Sequence, residues 1–267
     1  MEVGGLPDFP DGWESVNLTL QDIKSMTLEE LRADFIAQGQ KPFHALQVYR
    51  WLHRGVRSFA EMSDQSKAFR QTLSERYYIA VAEIEQRLVS KLDGTAKYLL
   101  RLPDGEHVEC VLMEYHHGYS ICISSQVGCK MNCSFCATGK SGFSRNLTAS
   151  EMLAQIQTVQ QDQGIRISNV VLMGMGEPLD NYQNVLRFLE LVSSDEGMNI
   201  GMRHISLSTC GIVDKIYDLA ERKLQLTLSV SLHAPNDAIR SQTMPVNHRW
   251  GVDELLTACR AYAQATG

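Results

Sequence analysis

Three cysteines follow an apolar run in the stretch from Tyr119-Ser-Ile-Cys-Ile-Ser124 to Cys129-Lys-Met-Asn-Cys133-Ser-Phe-Cys136. The run 119–124 is apolar enough to form a buried strand, which places the cysteines in the loop after it. Iron–sulfur clusters are bound by cysteine thiolates, usually four. With three thiolates, one iron keeps an open position that can chelate a small molecule and pass it an electron. The spacing therefore predicts a 4Fe-4S cluster bound by Cys129, Cys133 and Cys136.

A structural zinc site is an alternative for the same cysteines. Zinc would need a fourth ligand, and His116 or His117 could supply it. Buried, reduced cysteines without a metal are a further alternative, because short motifs also match by chance. The cysteine spacing alone leaves these alternatives open.

Downstream of the cysteines, predicted helices alternate with predicted strands. A capping box of Thr148 and Glu151 starts the first helix, which ends at Gly164. Alternation of this kind predicts an α/β fold with parallel strands, in a barrel or a doubly wound sheet. We assign residues 116–267 to this domain. Its later strands are expected at 167–173, 203–208 and 226–232, and its later helices at 182–192, 213–222 and 252–264.

Upstream of residue 116 the pattern changes twice. Residues 1–78 contain three predicted helices and form a small helical domain. Residues 79–115 contain three extended segments separated by turn signals, which predict a short antiparallel β linker. The helices are expected at 28–38, 42–53 and 63–77, and the strands at 79–89, 97–102 and 107–113.

The composition is that of a folded protein. Hydrophobic residues make up 44% of the 267 positions, and the net charge of −6 argues weakly against nonspecific nucleic-acid binding without excluding a local basic face. Neither a secretion signal nor an apolar run of roughly 18 residues is present, which predicts a cytoplasmic protein without a membrane span. In a reducing compartment, seven cysteines indicate metal binding or catalysis more than disulfides.

The Cys-x-x-x-Cys-x-x-Cys spacing is similar to that of radical S-adenosylmethionine (SAM) enzymes. The flanking segments Ile123–Cys129 and Gly142–Leu147 resemble, more specifically, the RlmN/Cfr family, and the resemblance extends from about Thr27 to the last residue. It implies a partial (βα) radical-SAM barrel, preceded by the helical domain, with a 4Fe-4S cluster and SAM as cofactors. The implied reaction is methylation of carbon 2 of an adenine in 23S rRNA, and of an adenine in tRNA. Carbon 8 methylation, as in the Cfr branch, is the alternative, and overall likeness favours the RlmN branch.

Three predicted strand ends match family segments that contact SAM. One is Val170–Pro178, a strand that runs into a glycine-rich turn, where glycine permits close approach to a ligand and Glu177 offers a carboxylate to an ammonium group. Without the resemblance, Glu177 would be a solvated turn residue and His233 a satisfied core histidine. The matching SAM contacts are Gly176, Glu177, Ser208, Ser231, Leu232 and His233.

Two catalytic residues also follow from the resemblance. Glu109 matches the family's proton acceptor for the adenine carbon. Cys122 matches the cysteine that releases a covalent protein–RNA intermediate by attacking sulfur and forming a disulfide. Taken alone, Glu109 would be a solvated strand residue and Cys122 a small core residue.

The family's methyl-carrying cysteine follows later barrel strands than those predicted before Gly267. Cys259 lies inside the last predicted helix, and neither it nor Cys110 or Cys210 is assigned this role. The family's last SAM contact, an asparagine, is also not matched. We therefore expect a fragment of a longer protein, with impaired turnover.

A basic and aromatic segment, Pro42–Arg57, matches the family's RNA-contacting helical domain. Arg50, Arg54 and Arg57 are the candidate RNA-binding residues, because basic and aromatic side chains together suit RNA. The alternative is an amphipathic helix with Trp51 in its own core and a solvated basic face. We also expect a flavodoxin or a ferredoxin as the electron donor. The protein is expected to be a monomer.

Two functions of other kinds remain open. A glycyl-radical activating enzyme shares the cysteine spacing but needs no N-terminal RNA-binding domain. A zinc or iron–sulfur RNA-binding module without turnover needs no Gly-Glu-Pro turn.

Overall fold

The computed structural model describes residues 20–116 and 118–267. The beginning of the predicted helical domain and the alternative zinc ligand His117 lie outside these residues. The helices are α1 (Leu28–Ala37), α2 (Phe43–Arg54), α3 (Lys67–Arg76), α4 (Ala137–Lys140), α5 (Ala149–Gln163), α6 (Tyr182–Ser193), α7 (Val213–Glu221), α8 (Asp237–Thr243) and α9 (Val252–Thr266). The strands are β1 (Gln21–Asp22), β2 (Tyr77–Tyr78), β3 (Glu83–Val89), β4 (Ala96–Arg101), β5 (His107–Tyr115), β6 (Gly118–Cys122), β7 (Gln126–Gly128), β8 (Phe143–Asn146), β9 (Ile167–Leu172), β10 (Ile205–Thr209) and β11 (Thr227–Val230).

Side-chain hydrogen bonds cap the starts of two N-terminal helices, α1 and α3. The Thr27 hydroxyl accepts a hydrogen bond from the Glu30 N–H, and the Glu30 carboxylate accepts one from the Thr27 N–H, which makes a capping box before α1. The Ser66 hydroxyl accepts from the Phe69 N–H. Helix α3 therefore begins at Lys67, later than the sequence pattern predicts.

A seven-stranded sheet forms the centre of the protein, in the order β11-β10-β9-β6-β5-β4-β3. Strands β6, β9, β10 and β11 pair in parallel, and α5, α6 and α7 connect them in turn. This arrangement confirms the predicted α/β fold and partial (βα) barrel, which stays open within the part of the chain that the structure describes.

The predicted β linker is continuous with the barrel sheet. Strands β3, β4 and β5 pair antiparallel, and β5 pairs in turn with β6, where Val111 lies opposite Cys122. The antiparallel strands are thus hydrogen-bonded to the parallel ones as one sheet. The domain boundaries at residues 78 and 115 remain predictions.

The two faces of this sheet differ in burial. Ile121, Val170 and Leu207 are 0% exposed and belong to the hydrophobic core that also includes the helices. Successive strand residues point to opposite faces. Their neighbours Cys122 and Val171 therefore point away from that core, and they are only partly buried. We call this second side the open face of the sheet.

Candidate active site

The three cysteines lie in a loop between β7 and β8, which pair antiparallel. Gly128, just before the first cysteine, has φ +76°, and a Cβ there would lie 2.1 Å from the Gly142 carbonyl oxygen. The Cys129 N–H donates to that same oxygen at 2.8 Å. Only glycine fits at position 128, because the backbone must approach the returning strand this closely.

The three thiols are electrostatic neighbours. The pKa of Cys129 is raised to about 11, mainly by burial, with smaller contributions from the charges of Glu177, Cys133 and Cys136. Burial likewise raises the pKa of Cys133, with Cys136 as the next cause. Thiols with raised pKa values bind a metal centre with release of their protons.

The donor set fits an iron–sulfur cluster. Such clusters take cysteine thiolates as ligands, and each cysteine sulfur binds a different iron of the cluster. Within residues 20–116 and 118–267, no three His, Cys, Asp or Glu side chains converge as they would around a single metal ion. Three cysteines that bind three irons do not need such convergence. Cys129, Cys133 and Cys136 are each partly exposed, so the loop leaves room for the group.

The glycine-rich turn after β9 packs directly on the strand that leads to the cysteines. A Cβ at Gly174 would lie 2.7 Å from the Ile123 carbonyl oxygen. Gly176 has φ +102°, and a Cβ there would lie 2.6 Å from the Gln126 Cβ. The Gln126 side-chain oxygen accepts from the Glu177 N–H at 2.8 Å. The turn is therefore held against the cysteine loop by contacts that need glycine.

Glu177 is a buried carboxylate with 3% exposure. Its oxygens accept hydrogen bonds from the Leu179 N–H at 3.0 Å and the Cys210 N–H at 2.7 Å. Burial raises the pKa of Glu177, while these N–H donors oppose the shift. The alternative of a solvated turn glutamate is wrong. Binding of an ammonium group by this residue remains a prediction.

The open face brings several predicted site residues together. Residues two apart in a strand share a face, and Cys122 lies opposite Val111, so Glu109 and Cys122 are on the same face. Cys122 also pairs with Val171, and Val171 pairs with Ser206. Ser208, two positions further along β10, therefore shares this face.

Glu109 and Cys122 differ in environment. The Glu109 carboxylate forms an ion pair with Lys97 at 2.7 Å and is 44% exposed. Burial raises the pKa of the Cys122 thiol. The first residue is thus an exposed carboxylate on the open face, and the second is a protonated, partly buried thiol.

Ser231, Leu232 and His233 form the turn after β11. The Ser231 N–H donates to the Thr209 carbonyl at 2.9 Å. His233 is exposed and has φ +56°, and its ring lies 4.7 Å from that of Phe135 in the cysteine loop. The alternative of a core histidine is wrong, since His233 contacts the cysteine loop instead.

The three candidate RNA-binding arginines lie in the N-terminal module and are all exposed. Arg50 forms an ion pair with Glu196 at 2.6 Å, and Arg54 lies over the Trp51 ring. Arg57 donates to the Ala82 carbonyl at 3.3 Å. Their RNA contact remains a prediction.

The aromatic residues of the segment Pro42–Arg57 mainly pack within the protein. Tyr49 is 2% exposed and belongs to the core. Trp51 is partly buried and donates to Asp64 at 2.7 Å. Packing therefore accounts for Tyr49, and Trp51, which the amphipathic-helix alternative placed in the core, packs against that core while partly buried.

Sequence reasoning missed the polar residues that hold the site loops in place. Gln126 donates to Asn146 and Asp180, and Asn181 donates to the Ser125 and Leu147 carbonyls. Asp180 also pairs with Lys130 at 2.9 Å. It missed the short elements β7, β8, α4 and α8 as well, because so few residues carry no readable periodicity.

Two family models match the chain. The model of the radical SAM superfamily matches residues 123–266, which is more than half of the chain. The model described as the N-terminal domain of ribosomal RNA large subunit methyltransferases matches residues 21–79. The two matches fall on the barrel sheet and on the helical module, respectively.

Curated relatives and a solved structure agree with these matches. A protein from Alkaliphilus oremlandii named probable dual-specificity RNA methyltransferase RlmN is 49% identical over 246 residues, which are 92% of this chain and 72% of that protein. A protein of the same name from Lachnoclostridium phytofermentans is 51% identical over 92% of this chain and 69% of its own length. The crystal structure of a radical SAM methyltransferase from Sphaerobacter thermophilus matches with a TM-score of 0.87 and 40% identity, over 92% of this chain and 73% of that one.

The fold and the cysteine loop together define a radical SAM enzyme. The cofactors of such an enzyme are a 4Fe-4S cluster and SAM. More specifically, the chain belongs to the RlmN family of radical SAM methyltransferases. Zinc as the metal of the cysteine loop and a glycyl-radical activating enzyme are thereby set aside. In the described part of the chain, no helix is long and apolar enough to cross a membrane.

Proposed function

We propose that this chain, together with the family's methyl-carrying cysteine, methylates carbon 2 of an adenine in RNA, with 23S rRNA and tRNA as the substrates. The observation that carries the proposal is the shared face of Glu109 and Cys122, on neighbouring strands of the sheet that leads into the cysteine loop. A carboxylate and a thiol on one accessible face can each act on a base that is brought there. The relatives named as dual-specificity RNA methyltransferases support RNA as the substrate.

Two regions of the chain would bind the two cofactors, the cluster and SAM. Cys129, Cys133 and Cys136 would hold the cluster. Gly176, Glu177 and the turn 231–233, with Ser208, would hold SAM. When bound, the cluster and SAM supply the one-electron chemistry that an unreactive aromatic carbon requires.

Glu109 and Cys122 would act on the RNA itself. The Glu109 carboxylate accepts the proton that leaves the adenine carbon, and its ion pair with Lys97 orients it on the open face. The Cys122 sulfur attacks the sulfur of the family's methyl-carrying cysteine, which links protein and RNA, and the proton that the thiol loses goes to the carbon that leaves that sulfur. A sulfur–sulfur bond forms while the carbon–sulfur bond breaks, which releases the methylated base.

RNA would be held in part by the N-terminal module. Arg50 and Arg54 project from α2 into solvent and can neutralise phosphates. A small redox protein, a flavodoxin or a ferredoxin, would supply electrons to a monomeric enzyme in the cytoplasm.

Analysis of the methylated nucleosides tests this function. A protein that contains both this chain and the family's methyl-carrying cysteine is reconstituted anaerobically and incubated with SAM, a reductant and either 23S rRNA or tRNA. The RNA is then digested and analysed by mass spectrometry. We expect 2-methyladenosine, and none with Glu109→Gln, which keeps the shape of the side chain. A product methylated at carbon 8 would contradict the carbon assignment, and no methylated RNA of either kind would contradict the substrate.

A further inference from the structure

A buried arginine lies behind the strand ends of the candidate SAM site. Arg240 belongs to α8, whose start is capped by the Asn236 side chain accepting from the Ile239 N–H. Arg240 is 0% exposed, and it is the largest fully buried side chain among the described residues. A charged side chain is rarely buried in this way without a specific set of partners.

The guanidinium donates hydrogen bonds to the ends of two parallel strands. Its Nη2 donates to the Cys210 carbonyl, after β10, at 2.5 Å, and its Nε donates to the Leu232 carbonyl, after β11, at 3.1 Å. Its Nη1 donates to the Asn247 side-chain oxygen at 2.9 Å. The rigid guanidinium of one arginine thus connects the ends of β10 and β11. In the described part of the chain, no backbone hydrogen bond joins the two ends at these carbonyls.

Stability alone does not require a charge at this position. Burying a guanidinium costs free energy, and an apolar side chain of similar volume often packs as well. The planar guanidinium is needed for its shape, because a single nitrogen could not donate to both carbonyls in these two directions. Arg240 therefore specifies the spacing of the two strand ends.

The same short helix contacts the cysteine loop. The Thr243 carbonyl, at the end of α8, accepts from the Ser134 N–H at 2.9 Å. On the other side of the loop, Phe135 contacts the His233 ring. Helix α8 is therefore bonded to the strand ends through Arg240 and to the cysteine loop through Thr243.

We propose that Arg240 is a positioning residue for SAM, which sets the turn Ser231–His233 relative to β10 and, through α8, relative to the cysteine loop. This inference rests on the proposed SAM contacts of that turn. The left-handed backbone of His233 is strained for a side-chain-bearing residue. Hydrogen bonds from Arg240 to the carbonyls of Leu232 and Ser231, at 3.1 and 3.4 Å, hold the two residues before it.

Two substitutions and one matched control test this role. Arg240→Lys keeps the buried charge but loses the planar guanidinium, and Arg240→Met loses both. Arg249→Met is the control, because the side chain of that arginine is 70% exposed, forms an ion pair with Asp214 and lies over the Trp250 ring. Cluster iron, the SAM dissociation constant by equilibrium dialysis, and amide exchange of Ser231 without cofactors are measured for each.

We expect Arg240→Lys to retain cluster iron, to bind SAM about tenfold or more weakly, a loss of roughly 1.4 kcal/mol, and to exchange the Ser231 amide faster. Arg249→Met should match the unmodified protein in all three measurements. If Arg240→Met does not fold, Arg240→Lys decides the question. SAM binding by Arg240→Lys equal to that of the unmodified protein overturns the proposal. A protein that binds SAM but leaves RNA unmethylated contradicts the proposed function and leaves this test intact.

Discussion

Glu177 and Arg240 bind opposite sides of one residue, Cys210. The Glu177 carboxylate accepts from the Cys210 N–H at 2.7 Å, and the Arg240 guanidinium donates to the Cys210 carbonyl at 2.5 Å. A buried carboxyl group and a buried guanidinium thus fix the end of β10 from its two sides. The turn after β9, the end of β10 and helix α8 are joined at this residue, directly beside the cysteine loop.

Replacing Cys133 by alanine should remove the cluster. Each thiolate binds one iron, and the loop contains no further cysteine that could replace Cys133. Iron and sulfide content after anaerobic reconstitution measures the effect. Cys259→Ala, in α9, is the control and should keep full content. Full iron content in Cys133→Ala would count against the assignment.

Replacing Gly128 by alanine should disturb the cysteine loop. The new Cβ would lie 2.1 Å from the Gly142 carbonyl oxygen, and φ +76° is unfavourable for alanine. We expect a loss of about 1–3 kcal/mol in the free energy of unfolding, as for other strained sites, and lower iron content. Gly94→Ala, in the β3–β4 turn, also has positive φ but open space around it. Equal losses in the free energy of unfolding for the two variants, measured by urea unfolding, would show that the close approach at Gly128 contributes nothing to stability.

Glu177 should make stability depend on pH. Because burial raises its folded-state pKa, the folded protein binds this proton more tightly than the unfolded chain does. The stabilisation is complete below the unfolded pKa and is lost as pH rises through the folded pKa. The free energy of unfolding relative to Glu177→Gln should therefore decrease as pH rises above the ordinary carboxyl range. Urea midpoints measured for both proteins at several pH values check this, and a difference independent of pH would contradict it.

Replacing Cys122 by alanine should trap the RNA on the protein. The attacking thiol is lost while the open face and the cysteine loop are kept, so the link between protein and RNA can form but cannot break. In a protein that also contains the family's methyl-carrying cysteine, the expected product of a reaction with SAM and RNA is a shifted band on a denaturing gel that RNase removes. Cys110→Ala, on the opposite face of the neighbouring strand, should leave no adduct. Normal methylation without adduct in Cys122→Ala would make Cys122 a packing residue.

Replacing Arg50 and Arg54 by alanine should weaken RNA binding and its dependence on salt. Each phosphate contact contributes roughly one unit or less to the slope of log affinity against log salt. The double substitution Arg203→Ala with Arg249→Ala removes the same charge from exposed positions outside the helical module. Equal slopes for the two double variants would show that α2 is only a solvated basic surface. SAM binding should be unchanged in both.

The sequence alone determined the elements that depend on neighbouring residues. Helix starts at Thr27 and Thr148 follow from capping boxes, which are local hydrogen bonds between residues three apart. The alternation of helices and strands after residue 118 follows from local periodicity, and it predicted the partial barrel. The cysteine loop was recognised for the same reason, since its three thiols lie within one short segment.

The tertiary structure alone decided which distant groups meet. Glu177 and Arg240 reach Cys210 across 33 and 30 positions of the chain, and no local pattern encodes either contact. Nothing in the sequence distinguishes Arg240 from other arginines, because its burial depends on how α8 packs against two strand ends. The pairing of β5 with β6, which puts Glu109 and Cys122 on one face, likewise depends on sheet register. Long-range register and burial are set by the packing of the whole sheet, whereas helix caps and cysteine spacing are set within a few residues.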